Sequence, residues 1–146
     1  MMHSNSEIIY SNEEIFQIIP QRPPFVFIDV FYRPLQDTFF SSYLIKQDNP
    51  LVIEGVVQET GLLENIAQTA AAGNGYKALL EKTTPKVGFI GAIKKSKLYQ
   101  LPLAGTIIHT RAKIITELLN AMIVEGEITN GNGILLSCQL NIFLKN

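Results

Sequence analysis

Glu64 is the residue best placed to do chemistry. It stands in the run Gly61-Leu-Leu-Glu-Asn-Ile-Ala-Gln-Thr-Ala-Ala71. At about 100° per residue, a helix puts it on one face with Thr60, Gly61, Ala67, Gln68 and Ala71. Small and apolar neighbours strip water from a carboxylate and favour its protonated form, the state a general acid needs. Gln68 lies one turn on, where its amide can orient Glu64 by a hydrogen bond. The plain alternative is a glutamate serving the helix dipole or a structural ion pair. The apolar setting favours a role in a site.

Other chemistry-bearing residues are few. His3 and His109 are the only imidazoles, and Cys138 is the only thiol. His109 shares a strand face with Arg111 and Lys113, which more often means solvent or a subunit contact than a general base. Glu54 and Glu59 flank a loop, and either is a conceivable base, though loop carboxylates are usually just solvated. Asp29, inside an apolar run, reads as a structural hydrogen-bonding residue. Arg22 reads as a surface or loop-positioning cation. Lys94, Lys95 and Lys97 form a short basic run at a strand end, a landing place for an acidic carrier or a phosphate if it is more than a solvated edge. Cys138 falls on an apolar strand face and reads as core.

The elements that must position these groups follow from periodicity. Residues 59–81 form the best helix, apolar nearly all round and therefore expected to be buried. Gly73 and Gly75 weaken helix propensity and mark a possible kink or end. Ser11-Asn12-Glu13-Glu14 reads as the start of a short helix, stopped by Pro20. After Pro23-Pro24, residues 25–32 read as a strand, and residues 37–46 as a second. The rest is β, with runs over 87–94, 106–115, 121–128 and 134–145. Asn130-Gly-Asn-Gly133 supplies a strong hairpin signal. One buried helix followed by three or four strands in an antiparallel meander calls for a curved sheet wrapped around the helix, an α+β architecture.

Composition narrows the function. A chain of 146 residues fits one domain, here 1–146 with residues 1–11 as a loose arm, and buries about two-thirds of its unfolded surface without staples. Hydrophobic residues make up 47%, charged residues 17%, and the net charge is −1 from 12 basic and 13 acidic residues. That balance lacks the clustered basic surface of a nucleic-acid binder. One Cys and two His leave no disulfide and no convincing metal site, so we expect neither metal nor cofactor. No apolar run reaches the roughly 18 residues that span a bilayer. The polar start, Met1 to Asn12, lacks the pattern of a secretory signal. We expect no membrane role, a cytoplasmic location and a reduced thiol.

Three stretches, in order, resemble the hotdog-fold 3-hydroxyacyl-[acyl-carrier-protein] dehydratases. Ile19-Pro-Gln-Arg-Pro-Pro-Phe-Val-Phe-Ile-Asp29 is similar to the family's Leu-Pro-His-Arg-x-Pro-Phe, three apolar residues, then Asp. Leu63-Glu-Asn-Ile-Ala-Gln68 is similar to its Glu-x-x-Ala-Gln helix. Gly88-Phe-Ile-Gly-Ala-Ile93 and Leu101-Pro-Leu-Ala-Gly-Thr106 are similar to its Gly-containing strand and the Pro-Gly-Asp turn that follows. Two departures stand out. The family's Gly-His-Phe-Pro motif has no match here, and aligning its glycine with Gly55 puts Val56 where the histidine belongs. Gln21 occupies the place of the histidine in the first motif.

The resemblance implies a hotdog fold, subunits paired as a homodimer or higher even-numbered oligomer, and an acyl chain lying beside the central helix at the subunit interface. It implies an acyl carrier protein or coenzyme A thioester as partner. Dehydration removes a proton beside the thioester carbonyl and expels the 3-hydroxyl as water. That requires a base, normally imidazole, an acid for the leaving hydroxyl, and N–H groups for the charged thioester oxygen. On this reading Glu64 is the catalytic acid, and Gly55, Val56, Gly61, Gln68, Phe89 and Gly91 bind substrate in fatty-acid or polyene-type acyl-chain assembly. Two alternatives fit the missing histidine: a hotdog thioesterase in which Glu64 activates water, and a non-catalytic acyl-binding or partner subunit.

Overall fold

A computed structural model describes residues 7–145. Strand β1 (Ile8–Ser11) leads into a 3-10 helix (Asn12–Gln17), followed by β2 (Val30–Tyr32), β3 (Thr38–Leu44), β4 (Val52–Ile53), β5 (Val56–Val57) and helix α1 (Glu59–Glu81). Strands β6 (Val87–Leu98), β7 (Ile107–Glu117), β8 (Ala121–Thr129) and β9 (Ile134–Lys145) complete the chain. Seven strands form one antiparallel sheet in the order β1-β2-β3-β7-β8-β9-β6, and β4 pairs with β5 as a separate hairpin. The sheet curls around α1, giving the hotdog architecture.

Alternation makes this sheet two-faced. On β7, Ile108, Thr110, Ala112 and Ile114 are buried, while Ile107, Arg111 and Lys113 are exposed on the outer face. On β9, Leu136, Cys138, Leu140 and Ile142 are buried. The helix packs its Leu62, Ile66 and Ala70, all 0% exposed, into this core. Gly126 on β8 makes room for them, since a Cβ there would strike the Ile66 side chain.

Three expectations need correction. Residues 8–11 are not a loose arm: Ile8 registers with Tyr32 and Ser11 with Val30, and Tyr10 meets Tyr76 of α1 edge-on at 6.1 Å. Residues 1–6 lie outside the described residues. The strand expected over 25–32 is regular only from Val30, because backbone groups of Phe25 and Phe27 bond to helix side chains instead of a neighbouring strand. Gly73 and Gly75 do not end α1, which runs on to Glu81. They let Phe39 and the Ile18 carbonyl approach the helix so closely that a Cβ at either would collide. The meander expected after the helix has three strands, β7, β8 and β9, and β6 crosses over to the sheet edge beside β9.

Candidate functional site

The first turns of α1 build the site. Gln68 is 1% exposed, and its amide is fully directed. Its Oε1 accepts from the Phe27 N–H at 2.8 Å, and its Nε2 donates to the Phe25 carbonyl at 2.8 Å and to Glu64 Oε1 at 3.2 Å. The backbone N–H of Phe27 fixes which end is oxygen, so the NH₂ must face Glu64. Asn65, also 1% exposed, adds a second clamp by donating to the Phe27 carbonyl at 2.7 Å and accepting from Thr110 Oγ1. Thr69 donates its hydroxyl to the Asn65 carbonyl and so accepts from Ser41 Oγ at 2.7 Å. This buried network ties the loop after Pro24, strand β3 and strand β7 to one helix face, and it holds Glu64 in place. Asn65 was not singled out in the sequence. The signal for it is an amide beside Glu64 on an otherwise apolar helix.

Glu64 is half-buried and makes no ion pair among the described residues, which weakens the ion-pair alternative. It lines a cavity of about 150 Å³ with Gln21, Ala67, Ala71, Asn74, Lys86, Gly88, Phe89, Met122 and neighbouring β9 side chains. Ala67, Ala71 and Gly88 keep the space open by being small. Two polar wall groups are already engaged: Asn74 Nδ2 reaches Met122 Sδ at 3.4 Å, and Lys86 Nζ donates to the Leu119 carbonyl at 2.6 Å. Gln21 Oε1 is buried with no hydrogen-bond partner among the described residues. Larger hollows lie elsewhere, about 330 Å³ beside Tyr43 and Lys46 and about 680 Å³ over the outer sheet face at Lys95, Lys97 and Arg111. Neither contains Glu64.

Of the residues expected at the site, Glu64, Gln68 and Phe89 come together. Phe89 is 55% exposed on the edge strand, with its ring 6.2 Å from that of Phe143. Gly91 faces elsewhere: a Cβ there would enter the Phe143 ring. Gly61 is buried at the helix start against Val57 and Leu51. Gly55 and Val56 sit on the β4–β5 hairpin, whose turn residues Glu54 and Gly55 have φ 52° and 79°. That hairpin is tied to the loop at 101–106 through Val56 opposite Leu103 and the Ala104 N–H on the Gly55 carbonyl at 2.8 Å. Gly55, Val56, Gly61 and Gly91 do not line the cavity that holds Glu64, and Gln68 meets it only through its bond to Glu64.

The remaining titratable groups have structural duties. Asp29 accepts from the Leu44 N–H at 2.7 Å and pairs with Lys46 at 2.8 Å. Arg22 donates to the carbonyls of Ile19, Gln21 and Phe16 and covers the Phe16 ring, so it shapes the loop. Glu59 accepts from Ser96 Oγ at 3.4 Å, and Glu54 is exposed on its turn. His109 lies on the outer face of β7 between Ser42 and Thr129, and burial pushes its imidazole below the ordinary range. Burial pushes the Cys138 thiol up to about 11. Among the described residues no group of three or more His, Cys, Asp or Glu gathers to hold a metal. No described helix is long and apolar enough to cross a membrane.

Residues 13–146 match the model of the ApeP-like family, described as ApeP dehydratase. The chain belongs to that family. No protein of curated function matches it. Among solved structures, the dehydratase heterocomplex ApeI:P from Xenorhabdus doucetiae superposes with a TM-score of 0.83 at 15% identity, covering 90% of this chain and 91% of that one. A hypothetical thioesterase with coenzyme A from Streptococcus pneumoniae gives 0.57 at 9% identity, covering 80% and 84%. An uncharacterised protein from Pyrococcus horikoshii gives 0.61 at 16%, covering 94% and 96%. At these identities the structures establish the shared fold. Family membership makes this a dehydratase-like chain, and the solved structures add the shared hotdog fold.

Proposed function

We propose that this ApeP-like protein acts on 3-hydroxyacyl thioesters of an acyl carrier protein, in fatty-acid or polyene-type chain assembly, and that Glu64 is the acid that protonates the departing 3-hydroxyl. The observation that carries this reading is Glu64 on the wall of a largely apolar cavity, oriented by Gln68 and free of any ion pair among the described residues. In the reaction, a base takes the proton from the carbon beside the thioester carbonyl. The C–O bond at carbon 3 breaks as Glu64 gives its proton to that oxygen, and water leaves. N–H groups near the helix start are suited to the negative thioester oxygen between these steps.

No imidazole lines the cavity among the described residues. We assign the base to a histidine of a second hotdog chain. Two observations support this. Strand β6 is twelve residues long and, among the described residues, leaves one edge unpaired, which is where a second sheet can continue. The structurally similar ApeI:P assembly is itself a dehydratase heterocomplex. A homodimer pairing at β6 would have only His3 and His109 of each copy to offer as imidazoles. The exposed Lys94, Lys95 and Lys97 on that edge suit an acidic carrier. Gly55, Val56 and Gly61 are assigned to the entry side of the substrate path and Phe89 to the cavity, with Gln68 positioning Glu64 and the cytoplasm as the location.

A thioesterase reading is kept because Glu64 retains solvent access, so water can reach it. The two readings predict opposite pH profiles: a general acid loses rate as pH rises past its titration, and a general base gains rate. Mass spectrometry of 3-hydroxyacyl-carrier thioesters decides. Water loss by the chain mixed with a histidine-bearing hotdog partner, abolished in Glu64→Gln, is the expected result. Free acid with intact hydroxyl would replace the dehydratase by the thioesterase. Turnover unchanged in Glu64→Gln would remove Glu64 from the chemistry.

A further inference from the structure

Gln21 raises a question that its neighbours do not answer. Its Oε1 is buried and unpartnered, and leaving a buried acceptor unsatisfied costs free energy that native structures rarely tolerate without a reason. The loop that carries it is not loose. Arg22 Nη1 donates to the Gln21 carbonyl at 2.7 Å and to the Ile19 carbonyl at 2.9 Å, and Arg22 Nη2 reaches the Phe16 carbonyl at 3.2 Å. Pro20 stiffens the approach. The side chain therefore stands on a fixed backbone among the residues that line the cavity with Glu64. The donors of Asn74 and Lys86 on that wall are turned to Met122 and Leu119, so they do not satisfy it.

A buried amide oxygen without a partner gains a hydrogen bond when the side chain turns to meet a donor in the cavity. A hydroxyl has one donor and two acceptor lone pairs, so a single substrate hydroxyl can accept from protonated Glu64 and donate to Gln21 at once. We propose that Gln21 is a substrate-binding, specificity-determining residue: its Oε1 accepts the hydrogen of the substrate's 3-hydroxyl, so that the cavity selects 3-hydroxyacyl thioesters over acyl thioesters lacking that group. An amide has no proton-accepting function at neutral pH, so Gln21 aims the leaving hydroxyl at Glu64 and is not the base. The selectivity follows from the same rule that makes the empty site costly. A site built to bond a hydroxyl is left with an unpaired polar group when the hydroxyl is missing.

This inference rests on the acyl-thioester reading, and one set of titrations separates the two. Non-hydrolysable pantetheine amides of equal chain length, one 3-hydroxyacyl and one plain acyl, are titrated calorimetrically into the wild type, Gln21→Met and Gln21→Leu. The wild type is expected to prefer the hydroxylated ligand by about tenfold, equivalent to roughly 1.4 kcal/mol. Both variants are expected to lose that preference while holding the plain ligand as tightly as the wild type or more tightly. Equal weakening of both ligands in the variants would make Gln21 merely structural and overturn the inference. So would a wild type that binds both ligands equally. A wild type that binds neither would overturn the acyl-thioester reading itself. Should one variant fail to fold, the other and the wild-type ligand pair still decide.

Discussion

Replacing Gln68 by Leu tests whether the loop–helix clamp holds the site together. The substitution removes three hydrogen bonds, to the Phe27 N–H, the Phe25 carbonyl and Glu64. Their costs differ. Phe25 is 57% exposed, so its carbonyl regains water, whereas Phe27 is 2% exposed and its N–H does not. One orphaned buried donor costs about 1–3 kcal/mol, and each lost bond that water can replace about 1 kcal/mol. The apolar surface that Leu adds recovers part of this, leaving a loss of about 2–4 kcal/mol. With a urea slope of roughly 2 kcal/mol/M for a chain of this size, the midpoint should fall by about 1–2 M. The melting temperature should drop by about 6–12 °C. Gln58→Leu is the matched control: Gln58 makes a single side-chain bond, to the Val56 carbonyl at 3.1 Å, at a partly exposed helix start. It should cost under about 1 kcal/mol. Urea titrations of both variants, followed by circular dichroism, give the comparison. Equal midpoints for the two variants would refute the clamp.

Three further predictions concern the core and the outer face. Cys138, buried with its thiol pushed up to about 11, should carry about one thiolate in a thousand at pH 8. It should therefore resist iodoacetamide until the protein is unfolded in urea, as mass spectrometry would show. Gly75→Ala raises intrinsic helix propensity by about 1 kcal/mol, yet its Cβ would collide with the Ile18 carbonyl. The net effect should be destabilising by about 1–3 kcal/mol in a thermal melt. His109 has its imidazole below the ordinary 6.5 because burial disfavours the charged form. Its contribution to stability is fully present above pH 6.5 and is lost as the pH falls through that value towards the folded one. His109→Asn should flatten this dependence in urea midpoints taken between pH 5 and 8, without altering turnover of acyl thioesters.

The hotdog fold was legible because its signals are local. Helix α1 runs from Glu59 to Glu81 as its apolar composition indicated, and the period-two runs after it became strands. What the sequence did not show depends on partners distant along the chain. Residues 25–29 look like strand because they are aromatic and β-branched, but Gln68 and Asn65, about forty positions later, take their backbone bonds. Gly91 sits in a stretch resembling a family motif, yet the Phe143 ring across the strand pair explains it. Gly73 and Gly75 look like helix breakers until Phe39 and Ile18 are seen packed on them. Glu64 and Gln68 were readable as a pair because a helical turn alone brings them together. Gln21 was visible only as a departure from the motif histidine, since its place in the Glu64 cavity arises from the folding of the loop around Arg22.

The most direct test of the account is a crystal structure with a non-hydrolysable 3-hydroxyacyl-pantetheine amide bound. The account predicts the acyl chain in the cavity lined by Ala67, Ala71, Phe89 and Met122, with the 3-hydroxyl within hydrogen-bond distance of Glu64. A ligand seated instead beside Tyr43 and Lys46, or across the outer sheet face at Lys97 and Arg111, would contradict it.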